Sequence, residues 1–339
     1  MTDTQPQAPR LVDGHGRVHS DLRISLTDHC NLRCSYCMPA EGVSWIARDT
    51  LLTPAELMRL VRVGVNLGVT EVRLTGGEPL LRPDVVDLVA RIAALTRPDG
   101  GHPEVSMTTN GIGLARLAEP LFDAGLKRVN VSLDTLRPDR FLALTRRDRL
   151  TDVLAGLDAA VDAGLAPIKV NSLLMRGVND DEAVELVRWA VGEGHELRFI
   201  EHMPLDAGHT WKRSEMITGA EILAKLGEAF ELTALPGRGA APAERWLVDG
   251  GPGTVGVIAS VTMPFCGACD RLRLTADGQL RNCLFARDES DLRTPLREGA
   301  TDDEIAEIIV ASLAAKLPGH GINEPGFLQP RRPMSAIGG

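Results

Sequence analysis

The sequence predicts an α/β protein: a partial barrel of six βα units, followed by a smaller C-terminal α+β region. Strand patterns alternate with amphipathic helical patterns through about residue 210. Repeated βα units imply a parallel sheet, and six of them are enough for a barrel or part of one. Beyond that point the pattern changes to short strands and turns. We therefore expect a flexible extension over residues 1–17, a core barrel over residues 18–210 and a C-terminal region over residues 211–339.

Polar and apolar residues alternate along most of the predicted strands, which cover residues 22–27, 71–75, 104–108, 128–134, 168–174 and 197–203. In the second strand, Arg73 and Thr75 share one face, while Val72 and Leu74 share the other. Strands of a parallel sheet covered on both faces usually read as continuous apolar runs. We therefore expect the polar faces to line a lumen. An antiparallel sheet with one solvated face would alternate in the same way, but the intervening helices favour the barrel. The sixth strand breaks the pattern, and its faces stay unassigned.

Capping residues mark the ends of several helices. Thr53 and Glu56 flank a proline at the first helical position, which is typical of a helix start. Gly125 and Gly164 follow two other helical patterns as C-terminal stops. In the C-terminal region, an Asp-Gly pair predicts a hairpin over residues 271–283. The other predicted helices cover residues 83–95, 115–124, 152–163, 180–193 and 301–317.

The composition is that of a folded globular protein. Of 339 residues, 44% are hydrophobic and 24% are charged. No apolar run approaches the ~18 residues that a membrane helix needs, and the polar N-terminus lacks the apolar core of a secretory signal. We therefore expect a cytoplasmic protein. The net charge of −9 argues against nucleic acid and membrane surfaces as partners, but it leaves room for a small anion held by a local cluster of bases.

The six cysteines form two groups of three, namely Cys30, Cys34 and Cys37, and Cys266, Cys269 and Cys283. A disulfide framework suits neither groups of three nor a reducing compartment. Structural zinc needs four ligands. His29 could complete the first group, although it is cramped beside Cys30, and no histidine lies near the second group. Iron–sulfur clusters fit better, because three thiolates leave one iron of a four-iron cluster free for another ligand.

Two motifs resemble the radical S-adenosylmethionine (SAM) superfamily. The first is C-x3-C-x2-C with an aromatic residue, Tyr36, before the last cysteine. The second is Gly76-Gly77-Glu78-Pro79 after the second strand, where glycine lets the backbone approach a ligand closely. The resemblance implies a partial (β/α)6 barrel of the radical SAM type and a 4Fe–4S cluster on the first three cysteines. It also implies that the glycine motif contacts the amino group of SAM.

A longer series of segments resembles one family within that superfamily, the GTP 3′,8-cyclases of molybdenum cofactor biosynthesis. The series includes CGACDRLR at residues 266–273, TTNG at 108–111, FIEHMP at 199–204 and a terminal Gly-Gly. It implies SAM as a cofactor and a second 4Fe–4S cluster on Cys266, Cys269 and Cys283. The SAM contacts that it implies are Tyr36, Gly77, Ser132 and Met203. The GTP contacts that it implies are Arg23, Arg73, Thr108, Lys169, Arg271, Leu272 and Arg273.

The basic residues themselves give a reason to expect an anionic ligand. Arg23, Arg73 and Lys169 lie on the polar faces of predicted strands. Arg271 and Arg273 are two apart on another strand and so share a face. A buried base needs an anionic partner, and arginine offers paired contacts to phosphate. These bases could hold a triphosphate; the alternative is a set of unrelated surface salt bridges.

The resemblance implies a radical reaction rather than acid–base catalysis. Reductive cleavage of SAM gives a 5′-deoxyadenosyl radical, which takes hydrogen from C3′ of GTP. The C3′ radical then attacks C8 of guanine, and the product is 3′,8-cyclo-7,8-dihydro-GTP. We expect no catalytic side chain beyond the cofactor radical. The implied partners are a reductant protein and, through its substrate, the downstream cyclic pyranopterin monophosphate synthase; a homodimer stays open.

The sequence leaves two other functions open. One is a radical SAM enzyme that modifies a peptide and carries an auxiliary cluster, although such enzymes usually have more C-terminal cysteines. The other is a regulatory module with zinc in both cysteine groups. That module would leave the glycine motif and the polar lumen unexplained.

The last two residues, Gly338 and Gly339, allow three interpretations. They end a tail without a role, they carry a carboxylate activated by adenylation as in small sulfur carriers, or they enter the active site as the resemblance implies. Glycine can pass a narrow channel and present backbone groups and a carboxylate to buried arginines. Pro330 and Pro333 would stiffen the approach.

Overall fold

The computed structural model describes residues 10–338 of the chain. The strands are β1 (Leu11–Val12), β2 (Val18–His19), β3 (Asp21–Ser25), β4 (Glu71–Thr75), β5 (Glu104–Thr109), β6 (Leu126–Ser132), β7 (Lys169–Leu173), β8 (Glu196–Ile200), β9 (Leu232–Leu235), β10 (Glu244–Val248), β11 (Thr254–Ile258), β12 (Arg271–Leu274), β13 (Gln279–Arg281) and β14 (Ser290–Asp291). The helices are α1 (Pro54–Asn66), α2 (Val85–Ala93), α3 (Leu114–Asp123), α4 (Pro138–Thr145), α5 (Leu150–Asp162), α6 (Ala183–Gly192), α7 (Gly219–Gly227), α8 (Arg293–Arg297), α9 (Asp302–Ala314) and α10 (Met334–Ile337). In the part of the chain that is described, no helix is both long and apolar enough to cross a membrane.

Twelve of the strands form one sheet with a parallel centre. The order across the sheet is β14-β13-β12-β3-β4-β5-β6-β7-β8-β11-β10-β9. From β3 to β8, each strand pairs in parallel with the next one along the chain. This confirms the six predicted βα units and excludes the antiparallel alternative. The C-terminal strands extend the same sheet, since β12 joins β3 and β11 joins β8, both in parallel.

The two faces of the parallel strands differ as the alternation predicts. Ile24, Leu74 and Met107 have no exposed surface and belong to the apolar core that the helices cover. Successive side chains of a strand point to opposite sides of the sheet. The polar residues between these core positions, such as Arg23 and Arg73, are therefore directed into the lumen.

Hydrogen bonds beyond the strands explain where the prediction of element bounds was wrong. The sixth predicted strand, residues 197–203, ends at Ile200. The next residue, Glu201, accepts hydrogen bonds from the backbone of Gly219, Val261 and Thr262 and so draws the chain out of the sheet. Helix α4 and strand β9 were not predicted. The capping box at Thr53 and Glu56 was predicted correctly.

The N-terminal segment is a correction to the prediction. The described residues of the expected flexible extension, 10–17, belong to the folded structure, because β1 and β2 pair as an antiparallel hairpin. Leu11 is 3% exposed and packs in the main core. Arg17 pairs with Asp13 and donates to the carbonyl oxygens of Cys266 and Leu317. Residues 1–9 lie outside the described part of the chain.

Candidate functional site

The first cavity opens at the carboxyl ends of the parallel strands. This is the edge at which ligands bind in open parallel α/β sheets. The cavity brings together the first three cysteines and most of the predicted SAM contacts. Its lining residues include Cys30, Cys34, Tyr36, Cys37, Gly77, Thr108, Asn110, Ser132 and Asp134. Thr108, predicted to contact GTP, therefore lies with the predicted SAM contacts.

The loop that carries the first three cysteines contains neither helix nor strand and is held by its neighbours. Met38 is 3% exposed and anchors the loop in the interior. Arg146, at the end of α4, donates to the carbonyl oxygens of Arg33 and Met38 at 2.7 and 3.2 Å. The loop thus rests on α4, and its three thiols line one space.

Burial makes the thiolate forms of these cysteines costly unless a positive partner is present. It raises the pKa of the Cys30 thiol, raises that of Cys34 further, and raises that of Cys37 to about 12. Iron supplies the positive charge that stabilises thiolate ligands. All three are free thiols. Within residues 10–338, no three His, Cys, Asp or Glu side chains are arranged to hold a single metal ion.

Gly76 and Gly77 let the cysteine loop pack directly against the end of β4. A Cβ atom on Gly76 would lie 2.5 Å from the carbonyl oxygen of Thr27, and one on Gly77 would lie 2.3 Å from that of His29. Gly76 also has a φ of +146°, which side chains rarely allow. The sequence predicted that the backbone approaches a ligand closely at these glycines. In the structure it approaches the neighbouring cysteine loop, and Gly77 also lines the cavity.

The carboxylate of Glu78 ties the ends of β4 and β5 together. It accepts hydrogen bonds from the hydroxyl of Thr109 at 2.7 Å and from the N–H groups of Asn110 and Leu80 at 2.7 and 3.0 Å. Burial raises the pKa of Glu78 to about 7. The three hydrogen bonds favour the charged form and so oppose this effect, but burial outweighs them. The motif therefore fixes one wall of the first cavity.

Tyr36 is oriented by a buried carboxylate. Its hydroxyl donates to Asp134 Oδ2 at 2.7 Å, and Asp134 Oδ1 accepts from the N–H of Leu173 at 2.8 Å. Burial raises the pKa of Asp134 to about 6, against both hydrogen bonds. Tyr36 and Ser132 line the first cavity. Met203 instead lines the second cavity, because the chain has left the sheet after β8.

The second cavity is lined by the other three cysteines. Cys266 begins a short 3-10 turn before β12, Cys269 directly follows that turn, and Cys283 follows β13. The antiparallel pairing of these two strands, with Arg273 opposite Arg281, folds the chain back on itself. This is the predicted hairpin, and it returns Cys283 to the neighbourhood of Cys269. The remaining lining includes Met203, Arg271, Arg273, Asn282, Phe285 and His320.

Cys269 has a more positive environment than Cys266. Burial opposes the Cys269 thiolate, but the nearby Arg271 guanidinium and the Lys316 ammonium outweigh burial and lower the pKa of the thiol. At Cys266, by contrast, burial dominates and raises the pKa. Cys269 therefore forms a thiolate more readily than Cys266.

Bases from adjacent strands stand side by side on the lumen face. Arg273 of β12 lies opposite Arg23 of β3, and Arg23 lies opposite Arg73 of β4. Neighbouring strands are about 4.8 Å apart, so three positive charges occupy consecutive positions. Asp21 and Glu71 offset part of this charge, since Arg23 donates to Asp21 at 3.3 Å and Arg73 to Glu71 at 2.5 Å. We refer to these three arginines, together with Arg271 of β12, Lys169 of β7 and Arg198 of β8, as the base row.

Arg273 lacks acceptors for part of its guanidinium. Its Nε and Nη1 atoms are buried without a hydrogen-bond partner among the described residues. Burial and the neighbouring Arg271 lower the pKa of Arg273 to about 10. Because an unpaired buried charge is unfavourable, this position fits an anionic ligand.

Leu272, between the two arginines of β12, faces the opposite way. It is 2% exposed and packs among Leu22 and Ile309 in the apolar core. The predicted contact of Leu272 with GTP is therefore not made by its side chain, because successive residues of a strand alternate between faces.

Lys169 of β7 and Arg198 of β8 continue the base row. Burial and the neighbouring Arg198 lower the pKa of Lys169 to about 8. Arg198 is 6% exposed and donates to Glu196 at 2.5 Å. Arg198 was not predicted as part of the site, because the faces of the sixth strand could not be assigned from the sequence. The sequence pattern that could have identified it is its position between the apolar residues Leu197 and Phe199 on the same strand.

The C-terminal tail is anchored before it reaches the first cavity. Arg332 donates two hydrogen bonds of 2.9 Å to the carboxylate of Asp277, in the turn between β12 and β13. Ile337 is 1% exposed. The tail is therefore tied to the hairpin of the second cysteine group.

The end of the tail lies against the first cavity. Ser335 lines this cavity together with Cys37. Gly338 packs against β4 so closely that a Cβ atom there would lie 2.3 Å from Thr75 Oγ1. Gly339 lies outside the described residues.

Comparisons with known proteins agree with this geometry. The sequence profile of the Radical SAM superfamily matches residues 24–190, and that of Molybdenum Cofactor Synthesis C matches residues 195–322. Among solved structures, Streptococcus suis SuiB bound to S-adenosylmethionine is similar with a TM-score of 0.56 at 14% identity, over 86% of this chain and 69% of its own. A second structure of Streptococcus suis SuiB gives 0.58 at 14% identity, over 91% and 69%. At these identities the likeness shows the fold alone.

Curated relatives match over almost their whole length. The GTP 3′,8-cyclase of Streptomyces coelicolor is 62% identical over 97% of this chain and 96% of its own. Those of Corynebacterium glutamicum and Mycolicibacterium smegmatis are 54% and 57% identical over 97% of this chain, and over 89% and 92% of their own.

The barrel and its three-cysteine cavity define a protein of the radical SAM class. The identities with the relatives place it more narrowly: the chain belongs to the GTP 3′,8-cyclase family. Membership in this family sets aside the two alternatives, the peptide-modifying enzyme and the regulatory zinc module.

Proposed function

We propose that the protein is a radical SAM enzyme that converts GTP to 3′,8-cyclo-7,8-dihydro-GTP, an early step of molybdenum cofactor biosynthesis. The observation that carries the proposal is the position of the base row between two cavities that each contain three free cysteines. Arg271 and Arg273 line the second cavity. Thr75 lines the first and lies two residues beyond Arg73 on the same face, about 7 Å further along β4.

The first cavity suits SAM on a 4Fe–4S cluster that Cys30, Cys34 and Cys37 would hold. Bound there, the cluster would supply the electron for the reductive cleavage of SAM, the source of the radical that takes hydrogen from C3′ of GTP. The buried hydroxyl of Thr75, which lines this cavity, has no partner among the described residues. Tyr36, held by Asp134, would position SAM at the same wall.

The base row suits the triphosphate of GTP. Arginine guanidinium groups offer paired donors to phosphate oxygens, and Arg273 has two buried donors without acceptors. Cys266, Cys269 and Cys283 would hold a second 4Fe–4S cluster beside the row, with an open iron for the guanine. Held at both ends in this way, GTP would present its ribose to the first cavity.

The C-terminal tail would exclude water and complete the lumen. Its buried residue Ile337 and the close approach of Gly338 to Thr75 support this role. The reductant protein, the cytoplasmic location and the link to the downstream cyclic pyranopterin monophosphate synthase stay predictions, and a homodimer stays open.

Anaerobic incubation of the reconstituted protein with GTP, SAM and dithionite tests the proposal. We expect 5′-deoxyadenosine together with 3′,8-cyclo-7,8-dihydro-GTP, and about eight irons per chain from two four-iron clusters. SAM cleavage without a GTP-derived product would contradict the proposed substrate.

Substitutions in the two cysteine groups separate their roles. Cys30→Ala should lose both SAM cleavage and GTP conversion. Cys283→Ala should lose GTP conversion while some SAM cleavage survives. Normal SAM cleavage by a reconstituted Cys30→Ala variant, or GTP conversion at the wild-type rate by Cys283→Ala, would overturn the assignment of that group.

A further inference from the structure

A buried lysine outside the base row contacts a member of the second cysteine group. Lys316 follows α9 and is 4% exposed. Its ammonium group has three N–H donors, and three acceptors surround it. They are the carbonyl oxygen of Arg271 at 2.9 Å, Nδ1 of His19 at 3.5 Å and Sγ of Cys269 at 3.6 Å. Each donor therefore has one acceptor, and one of these acceptors is a cysteine sulfur.

The N-terminal hairpin orients this ammonium group. His19 is fully buried, and its Nε2 lies 2.9 Å from Asp13 Oδ2. Because lysine only donates and a carboxylate only accepts, the ring of His19 accepts at Nδ1 and donates at Nε2, which is the neutral imidazole. The charge of Asp13 is matched by Arg17, whose Nε lies 2.6 Å from Asp13 Oδ2. The chain of contacts thus positions Lys316 without neutralising it.

Arg17 fixes the same arrangement from the other side. It donates to the carbonyl oxygen of Cys266 at 2.8 Å, and to those of Leu317 and Pro318 at 2.8 and 2.9 Å. One guanidinium group therefore holds both the turn of the second cysteine group and the segment directly after Lys316. The hairpin, this segment and the cysteine turn form one hydrogen-bonded unit.

The first cysteine group has a different side-chain donor. There the donor is the neutral amide of Asn110, whose Nδ2 lies 3.8 Å from Cys30 Sγ. A neutral amide and an ammonium group differ by one full charge at a similar distance from sulfur. The second cysteine group therefore has a positive charge beside a cysteine sulfur, whereas the first has only a neutral donor, although each group consists of three cysteines.

We propose that Lys316 is a positioning residue that raises the reduction potential of the second cluster through its contact with Cys269. The inference rests on the proposed function, since it requires the second cysteine group to hold a cluster. One-electron reduction adds a negative charge to the cluster. A buried cation stabilises that reduced state more than the oxidised one, and a hydrogen bond to a ligand sulfur acts in the same direction.

The test compares Lys316→Met with Lys316→Arg in the reconstituted full-length protein. Dithionite titration followed by electron paramagnetic resonance gives the midpoint potential of each cluster, with the first cluster as internal reference. Methionine removes the charge and the donors, whereas arginine keeps both. Lys212→Met, which changes a lysine whose side chain is 68% exposed, is the matched control.

We expect Lys316→Met to make reduction of the second cluster about tenfold less favourable, a negative shift of about 59 mV for a one-electron couple. The first cluster and the Lys212→Met control should not shift, and Lys316→Arg should recover most of the wild-type potential. An unchanged potential in Lys316→Met, with both clusters present, overturns the inference and leaves the proposed function intact. An equal shift in Lys316→Arg also overturns it, because packing rather than charge would then set the potential.

If Lys316→Met does not assemble the second cluster, another substitution at the same position tests the inference. Lys316→Gln keeps a hydrogen-bond donor without the charge; a negative shift in this variant supports the inference, and no shift overturns it. Wild-type protein that assembles no second cluster would contradict the proposed function itself, and with it this inference.

Discussion

Single residues of the lumen are placed for a ligand rather than for the stability of the free protein. Arg273 has two buried donors without acceptors, and the pKa of Lys169 is lowered to about 8, chiefly by burial. Groups of this kind weaken the ligand-free fold and are typical of binding sites.

Lys169 should make GTP binding depend on pH. In the free protein, burial and Arg198 lower its pKa to about 8, whereas a bound triphosphate stabilises the protonated form. Above about pH 8 a proton must therefore be taken up with GTP, and the affinity should fall about tenfold for each further pH unit. Calorimetric titration between about pH 7 and pH 9.5 measures this. Lys169→Arg stays charged and should flatten the profile; an unchanged profile in that variant would contradict the assignment.

Asp134 should control SAM binding through Tyr36. Its pKa of about 6 leaves it ionised at neutral pH, so the 2.7 Å hydrogen bond from Tyr36 is charge-assisted. Such bonds contribute about 1.5–3 kcal/mol. Because this one is present before SAM binds, only part of its free energy appears in the affinity, and we expect Asp134→Asn to raise the Kd for SAM about tenfold. Tyr36→Phe removes the same bond. The double variant should bind no worse than either single one, whereas additive losses would show that the two residues act separately.

At the scale of strands and helices, alternation of residues predicts the faces of the sheet better than the ends of its elements. In β4, Arg73 and Thr75 lie on the lumen face as predicted, and Leu74 lies in the core. Bounds are harder to predict, because β8 ends where Glu201 bonds to backbone groups far along the chain. Such long-range contacts leave no local pattern in the sequence.

The same reasoning explains two features that the sequence did not resolve. The resemblance indicated a whole segment around Leu272 and did not distinguish its faces; with the side chain in the core, the GTP contact of Leu272 stays a prediction for its backbone. The N-terminal hairpin was missed because the carbonyl groups that Arg17 binds, on Cys266 and Leu317, lie at the other end of the chain. No repeat or periodicity in the first residues predicts either contact.

Replacing Arg273 of β12 should make the ligand-free protein more stable. Arg273→Met removes buried donors that lack acceptors, and we expect a higher unfolding temperature for the ligand-free protein together with loss of GTP binding. The control is Arg281→Met, the partner position on β13, where Arg281 pairs with Glu289. That variant should lower the unfolding temperature by leaving Glu289 with fewer partners. Calorimetry of both variants decides; a lower temperature for Arg273→Met would contradict the account of this residue.

At the scale of the whole molecule, the two predicted regions share one sheet. The C-terminal strands flank the parallel strands on both sides, so the lumen is built by residues from both regions. The sequence predicted the composition of each region but not this arrangement. The pairing of β12 with β3 joins segments about 250 residues apart, and neither strand shows in its own pattern which partner it has.

The tail offers a test at this scale. Gly338 has a φ of +84°, and a Cβ atom there would lie 2.3 Å from Thr75 Oγ1. We expect Gly338→Ala, and deletion of the last two residues, to reduce GTP conversion strongly while both clusters remain. Gly326 has a similar φ of +88° but open space around it. Gly326→Ala therefore controls for backbone strain alone and should stay close to wild type. Wild-type rates for the truncated protein would show that the tail has no role.

The most direct test of the central claim follows one hydrogen atom from substrate to cofactor. If the lumen holds the ribose of GTP beside SAM in the first cavity, GTP with deuterium at C3′ should transfer that deuterium to 5′-deoxyadenosine. Mass spectrometry should find 5′-deoxyadenosine about one mass unit heavier, in an amount that matches the 3′,8-cyclo-7,8-dihydro-GTP formed. Unlabelled 5′-deoxyadenosine from the same reaction would mean that the radical does not reach C3′, and it would contradict the account.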